Sequence, residues 1–487
     1  MNDRLRYRLL QQRPDHVLRL NVSSEHGSVP SVKCSVFLPK RVEDQPYLLF
    51  LPTLDQAAGF HAFEFSVEGR IDNAGHLDLF KADRVWSNGL TTTHWGPDLA
   101  DCYLIGEPVD LEIATLRSRN NQAPGQFHHG RFWLTRNRLL QPALMRETSY
   151  TGETVIKTAH QTRFALGSGL ALAFSERFRY HNQEDGTLSY HELVAEFNEP
   201  LGVEAFPDTL RDLDDLLLLA SFAERHGCVC LGWDLSDTTG DFYLTHYRRG
   251  ITVPEAREVS VNDTLIDIRD FDEFLRASYD AFRAIEWKEP IRQALYGALA
   301  AQQTGLEPSI LSMFAGLESL ILFFRRTANL EFTLPATDWQ TFESDLRTWL
   351  KKHHSLSEDP AKRRLMYDKL KELNRPSFAQ TLERLIAACA VDVSDLWPVC
   401  EPGGLLDIRN RIIHGEVIVP KQHRPLAAAK QHLQWLLERF VLNLIKWPVE
   451  RSRVCSRSLG ARMFAYHEWQ NDREILKTRC SRWEDPV

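Results

Sequence analysis

Long apolar runs are missing from this chain. The longest, such as 216–220 and 321–324, are far shorter than the ~20 residues that cross a bilayer. No apolar signal core follows Met1-Asn2-Asp3-Arg4-Leu5-Arg6, so the expectation is a cytoplasmic protein without a membrane partner. Cysteine is sparse: eight residues scattered over 487 fit reduced, buried thiols rather than a disulfide scaffold. Cys228 and Cys230 stand too close for a CxxC zinc knuckle, and no second CxxC pair follows. Cys34, Cys102, His226 and His246 could join them only if four ligands converged, so neither metal nor another cofactor is expected. A strong charge of one sign is missing too. The net charge of −8 gives no general attraction to polyanions, although only the local field at a contact surface decides that question.

What is present is an ordinary globular composition in a chain long enough for two or three domains. The first ~200 residues alternate β-branched or aromatic runs with turn signals, a β-rich pattern. Strands are expected at 32–38, 47–51, 63–67, 111–115, 131–134 and 170–174, with turns at 43–46, 72–75 and 120–125. They predict a sandwich or partly closed barrel. The spacing then turns helical at 210–224, with Gly227 placed to cap its end. Strands at 229–234 and 241–248 and a helix at 271–285 complete a small connector. From Pro290 to Trp447 the period is helical almost throughout. Helices are expected at 290–303, 308–326, 339–353, 359–373, 377–389, 403–414 and 425–445. Pro290, Pro308, Pro360 and Pro425 are placed for first turns.

The segment Arg409-Asn410-Arg411-Ile412-Ile413-His414-Gly415 carries the chemistry. Spacing alone does not single it out, since Arg462/His467, Arg70/His76 and Arg347 with His353 or His354 are rivals. Only here does Asn follow the Arg and Gly follow the His at the end of a helix. The segment resembles the RNxxxH signature of HEPN domains. Phe314-Ala315-Gly316-Leu317-Glu318-Ser319-Leu320 and Lys369-Leu370-Lys371-Glu372-Leu373-Asn374-Arg375-Pro376-Ser377-Phe378 are similar to stretches of the Apea-like HEPN family. Phe132-Trp133-Leu134-Thr135 and Leu217-Leu218-Leu219-Ala220-Ser221-Phe222 look, more loosely, like the β-rich domain that precedes HEPN there. The resemblance implies RNA cleavage without metal, dimerisation through the HEPN helices and a role in abortive infection against phage. It also implies an N-terminal domain able to bind a phage-derived trigger.

The residues suit that chemistry. Cleaving RNA through its own 2′-OH needs a group that moves protons near neutral pH, which His414 can be. It also needs a fixed cation for charge building on the phosphate, which Arg409 can be, with Asn410 positioning it. By helical spacing Asp407, Asn410, Arg411 and His414 share one face, and Arg409 lies ~140° from His414 at ~100° per residue. Either the helix ends by His414, which Gly415 would allow, or a second subunit completes the site, and a composite dimeric cleft is the favoured reading. Glu318 falls among Leu311, Phe314, Ile321 and Leu322, where a carboxylate requires a partner, either Arg409 or Arg375. Lys362, Arg363, Arg364, Lys369, Lys371 and Arg411 are candidate RNA contacts, although such a run also makes an ordinary solvated helix face. His128 and His129 with Arg131 and Trp133 could line a ligand surface, although a plain turn and strand is the simpler reading. Asp208, Asp212, Asp214 and Asp215 read as charges complementing a helix N-terminus.

The expected architecture is therefore α+β and multidomain. A β-rich sensor occupies 1–205, an α/β connector 206–288, an all-α HEPN bundle 289–450 and a basic tail 451–487. The expected function is a metal-independent endoribonuclease acting on RNA as a homodimer or higher even oligomer through the HEPN domain. The alternative is a HEPN dimerisation and RNA-binding module without catalysis.

Overall fold

The computed structural model describes residues 9, 12–25, 27–39, 44–53, 56, 64–73, 76–87, 91–94, 100–117, 125–141, 143–148, 154–160, 162–183, 186–249, 263–302, 304–353 and 359–477. The turns expected at 43–46, 72–75 and 120–125 lie partly or mostly outside them, as does the end of the tail. The chain divides into two compact units, Met1–Asp263 and Thr264–Val487.

The first unit is built on β1 (His16–Ser24), β2 (Gly27–Phe37), β3 (Tyr47–Leu51), β4 (Glu64–Asn73) and β5 (His76–Ser87). There follow β6 (Thr91–His94), β7 (Ala100–Pro108), β8 (Asp110–Leu116), β9 (Gln126–Phe127) and β10 (His129–Leu134). Then come β11 (Ala143–Thr148), β12 (Thr154–His160), β13 (Arg163–Ala165), β14 (Ala171–Gln183), β15 (Gly186–Phe197) and the short β16 (Leu201–Gly202), which pairs with β9. Five of these strands and β7 run in the order β5-β4-β1-β2-β3-β7, and β7 pairs back onto β5 from Val85↔Pro108 to Ser87↔Gly106. That last pairing closes a six-stranded barrel. Alternate residues fill it, among them Leu18, Leu20, Val32, Cys34, Leu48, Phe50, Val67 and Phe80.

From β5 the same sheet continues through β8, then β18 (Phe242–Arg248), β17 (Cys230–Ser236), β10, β15 and β14 to β13. Helix α1 (Phe206–Glu224) packs on this extension, with Phe206 stacked on Phe132 at 6.1 Å and tilted on Trp233 at 5.3 Å. The expected connector is thus corrected. β17 and β18 are interior strands held by β10 and β8, and 206–248 belongs to the β-rich unit. The helix cap is corrected as well: Arg225 takes the left-handed position at φ 59°, where Gly227 was expected.

The second unit begins with α2 (Phe271–Ala284), α3 (Lys288–Ala300), α4 (Leu306–Thr327), α5 (Ala336–Lys352) and α6 (Pro360–Leu373). It continues with α7 (Phe378–Ala388), α8 (Leu405–Ile413), α9 (Pro420–Leu444), α10 (Ser456–Arg462), α11 (Phe464–His467) and α12 (Trp469–Lys477). The boundary lies before α2, not after it, because α2 is held within this unit. Phe274 meets Trp447 edge to face at 5.3 Å, and Arg451 pairs with Asp270 and Glu273. Pro420 rather than Pro425 opens α9, and Pro425 stands inside the helix.

α4 is the one described helix long and apolar enough to cross a membrane, with a mean hydropathy of 1.4. Its apolar side is occupied by the unit itself: Met313, Phe314, Leu317, Leu320 and Ile321 are buried. Gly316 permits a close crossing, since a Cβ there would stand 2.8 Å from Ala294 Cα on α3.

Candidate functional site

The site is carried by α4 and α8. Helix α8 buries Leu405, Ile408 and Arg411, which leaves Arg409, Asn410, Ile413 and His414 along its outer arc. Its end is a Schellman turn. Gly415 adopts φ 68°, its N–H bonds to Ile412 O at 3.0 Å, and Glu416 N–H reaches Arg411 O at 3.0 Å. A side chain at that φ would be strained, so the glycine fixes where the helix stops.

His414 is the C-cap. Its backbone N–H still bonds to Asn410 O at 2.9 Å, so its side chain keeps a helical direction, and it is exposed. Ending the helix therefore does not swing His414 toward Arg409. The offset of ~140° expected from ~100° per residue stands.

Arg409 is braced from two sides. Nη2 donates to Glu318 Oε1 at 2.6 Å, and Nη1 donates to Asn410 Oδ1 at 3.1 Å. The short first contact is what a charge-assisted bond gives. Both side chains keep solvent access, 28% for Arg409 and 37% for Glu318, so the carboxylate is less enclosed than its helical position implied. Of the two partners considered for Glu318, the structure brings Arg409. Arg375 is exposed beyond α6, near enough to Arg325 to lower that guanidinium's pKa, an effect second to its burial.

Three further expectations are resolved by packing. Arg411 is not an outward cation: at 4% exposure it donates to Leu476 O and lies 2.7 Å from Glu416 without hydrogen-bond alignment. An i+3/i+4 face can thus be half inside. Asp407 braces the helix entrance, accepting Gly403 N–H at 3.1 Å. Lys362 and Lys369 are outward and pair along their own helix, with its N-cap Asp359 at 3.3 Å and with Glu372 at 3.2 Å. Arg364 is exposed and Arg363 half-buried; the Lys371 side chain lies outside the described residues.

The β-rich unit sets His129 and Arg131, grouped already in the sequence, beside residues that sequence reasoning missed. His129, Arg131, Glu196, Asn198, Asp234 and Tyr243 line a cavity of about 310 Å³. Arg131 Nε donates to Glu196 Oε1 at 2.9 Å, Trp133 Nε1 donates to Asp234 Oδ2 at 3.2 Å, and His129 Nδ1 meets Asn198 Oδ1 at 2.9 Å. The cross-strand pairs Arg131↔Glu196 and Arg131↔Asp234 are long-range registers, so no local motif announces them. On the opposite face of the same sheet His246 stacks on Trp233 at 4.1 Å. Burial works to lower its pKa, but hydrogen bonds and charge from Asp110 and Glu112 raise it on balance. Of the aspartates assigned to a helix N-terminus, only Asp208 is in the first turn of α1. Asp214 instead takes both ends of the Arg248 guanidinium, at 2.8 and 2.9 Å.

Among the described residues no group of three or more His, Cys, Asp or Glu side chains is placed to hold a metal ion. Cys228 donates to Thr135 O and Cys230 to Gly232 O, and burial pushes the Cys230 thiol up to about 12. The Cys102 side chain lies outside the described residues. Compared with protein-family models, with curated proteins and with solved structures, the chain matches none.

Proposed function

We propose that the helical unit is a HEPN-type endoribonuclease, with His414 as general acid/base, Arg409 as the cation facing the phosphate and Asn410 positioning it. One observation carries the reading. On the outer arc of α8 an arginine is braced by Glu318 and Asn410, while the histidine one helical turn past Asn410 is exposed, with no side-chain partner among the described residues. A charge fixed in place and an imidazole left accessible are what proton transfer at a phosphodiester requires. Glu318 acts as a positioning residue and not as a reactant.

Because Arg409 and His414 border the same exposed arc from opposite sides, one copy does not bring both to one phosphate. The site we propose is composite, formed when two copies bring their α8 arcs to a shared cleft. The separation equally suits a second reading, a HEPN dimerisation and RNA-binding module in which Arg409 and Glu318 are a structural pair. The role proposed for the β-rich unit is to sense a trigger in antiphage defence.

The deciding experiment is cleavage of total RNA in EDTA by the wild type, Arg409→Ala and His414→Ala. The proposal requires products ending in a 2′,3′-cyclic phosphate, or the phosphate formed by its opening, from the wild type alone. Cleavage that needs added Mg²⁺, or that survives His414→Ala, refutes it.

A further inference from the structure

The cavity of the β-rich unit lies over one face of β15, β10, β17 and β18, and strand register sets that face in three rows. Side chains alternate along a strand, so residues paired across the ladder share a side. The innermost row is Val194, Trp133, Gly232 and Tyr247. Its three large members belong to the core that fills the barrel. Gly232 lets the indole lie close, since a Cβ there would stand 2.8 Å from the Trp133 ring. The middle row is Glu196, Arg131, Asp234 and Thr245. His129, Ser236 and Tyr243 make the outer row, at the rim of the cavity.

The middle row holds more negative charge than it neutralises. With histidine counted as neutral, two carboxylates face one guanidinium among the described lining residues. That guanidinium is engaged by Glu196 through Nε at 2.9 Å, and Glu196 Oε2 also accepts from the Ser175 hydroxyl at 3.1 Å. Asp234 accepts from neutral groups, the Trp133 indole N–H at 3.2 Å and the Thr245 hydroxyl at 2.9 Å. Arg131 Nη1 stands 3.9 Å from Asp234 Oδ2, beyond hydrogen-bond reach. Yet Asp234 is only 8% exposed, and a charge so enclosed calls for an opposite charge in contact. Asp234 lines the cavity, and so does Tyr243, whose ring is 42% exposed. Burial and then the Asp234 charge push the Tyr243 phenol up to about 12, so it stays neutral at physiological pH.

We propose that this cavity binds a small organic cation, whose protonated amine or guanidinium donates to Asp234 and rests against the Tyr243 ring. A cation supplies the charge that Asp234 lacks in contact, and an aromatic face adds to its attraction. An anion would meet two carboxylates and a guanidinium already in use. A bare metal ion would find no group of three ligands among the described residues. The volume of about 310 Å³ is at the lower end of ligand pockets, ~300–1,000 Å³, which suits a molecule the size of a diamine or a guanidino amine. The site uses no residue of the proposed ribonuclease centre and stands whether or not the chain cleaves RNA.

The test is isothermal titration calorimetry of the full chain with agmatine and with putrescine at fixed ionic strength. 1,4-Butanediol, a neutral analogue of putrescine, and inorganic phosphate are the controls. At least one of the two cations should bind saturably with one site per chain, and neither control should bind. Asp234→Asn keeps the shape and an acceptor but removes the charge, and should weaken binding ~10–100-fold, the worth of one charge-assisted bond. Tyr243→Ala, at an exposed ring, should keep the wild-type circular dichroism and weaken binding ~2–5-fold. Asp208→Asn, a carboxylate exposed elsewhere in the unit, should change nothing. The proposal is overturned if neither cation binds, if butanediol or phosphate binds as well, or if a folded Asp234→Asn binds like the wild type. Should Asp234→Asn fail to fold, unchanged binding by Tyr243→Ala overturns it instead.

Discussion

The two units bury ionisable groups of opposite kinds. In the β-rich unit Glu224, at the end of α1, is 2% exposed and takes the backbone N–H of Arg138 on both carboxylate oxygens at 3.1 Å. Burial outweighs those bonds and nearby arginine charge, and its pKa rises to about 7. In the helical unit His432 of α9 is fully buried between Trp397, whose backbone N–H donates to Nδ1 at 3.1 Å, and Ala465 O, 3.2 Å from Nε2. Burial lowers its pKa to about 4. Close by, Asp395 takes both ends of the Arg439 guanidinium at 2.6 and 2.8 Å and accepts from Ser456 and Tyr466. Burial opposes ionisation there, yet those bonds hold its pKa well below the usual carboxylate range. One unit thus shelters a proton and the other shelters neutrality and a charge pair. Acid should loosen the second and alkali the first.

The largest effect expected is at Arg439. Arg439→Leu leaves Asp395 without its main partner in a mostly buried place, which should cost ~3–5 kcal/mol of stability. Urea unfolding measures it, and a loss under ~1 kcal/mol, within the range of surface changes, would show the pair to be incidental.

The pH traces come next. Glu224, raised in the folded state, contributes stability that is whole below its ordinary value of 4.5 and lost as pH rises through about 7. His432, depressed, contributes stability present above 6.5 and lost as pH falls through about 4. Either shift is worth roughly 3 kcal/mol at full extent, at 1.36 kcal/mol per pH unit. Urea unfolding from about pH 4 to pH 8 should show the alkaline loss disappear in Glu224→Gln and the acid loss shrink in His432→Gln. An unchanged trace in either variant would place the titration elsewhere.

The smallest effect sharpens the comparison at Gly316. Gly316→Ala sets a methyl against α3 in the helical unit and should cost about 1–3 kcal/mol through overpacking. It should also reduce any RNA cleavage, because Glu318 stands two residues along the same helix. Full stability with full activity would show that α3 and α4 separate without strain.

Legibility followed the range of the interactions. From α2 to α9 the helices of the second unit appear where periodicity placed them, to within a few residues except at the start of α9, whereas α10 to α12 occupy a stretch expected as a basic tail. Amphipathic period and capping are properties of neighbouring residues, as in the capping box at Ser377 and Gln380. Among strands, β2, β3, β4, β8, β10 and β14 were marked, while β1, β5, β7 and β15 were not. β5 reads His-Leu-Asp-Leu-Phe-Lys-Ala-Asp, and its charged residues break the run that strand propensity seeks. At the site, Glu318 and Arg409 were paired correctly as one of two options. Arg411 was misplaced because periodicity names a face and not what covers it.

The sequence alone determined the succession of a β-rich region and a helical one, the place of α8, and its stop at Gly415, all of which depend on bonds and sterics within a few residues. Only the tertiary structure decided the closure of the barrel through β5 and β7, the absorption of β17 and β18 into the larger sheet, and the choice of Arg409 over Arg375 for Glu318. Each of those joins residues far apart in the chain. The register, burial and charge that select such partners exist only once the intervening chain has packed.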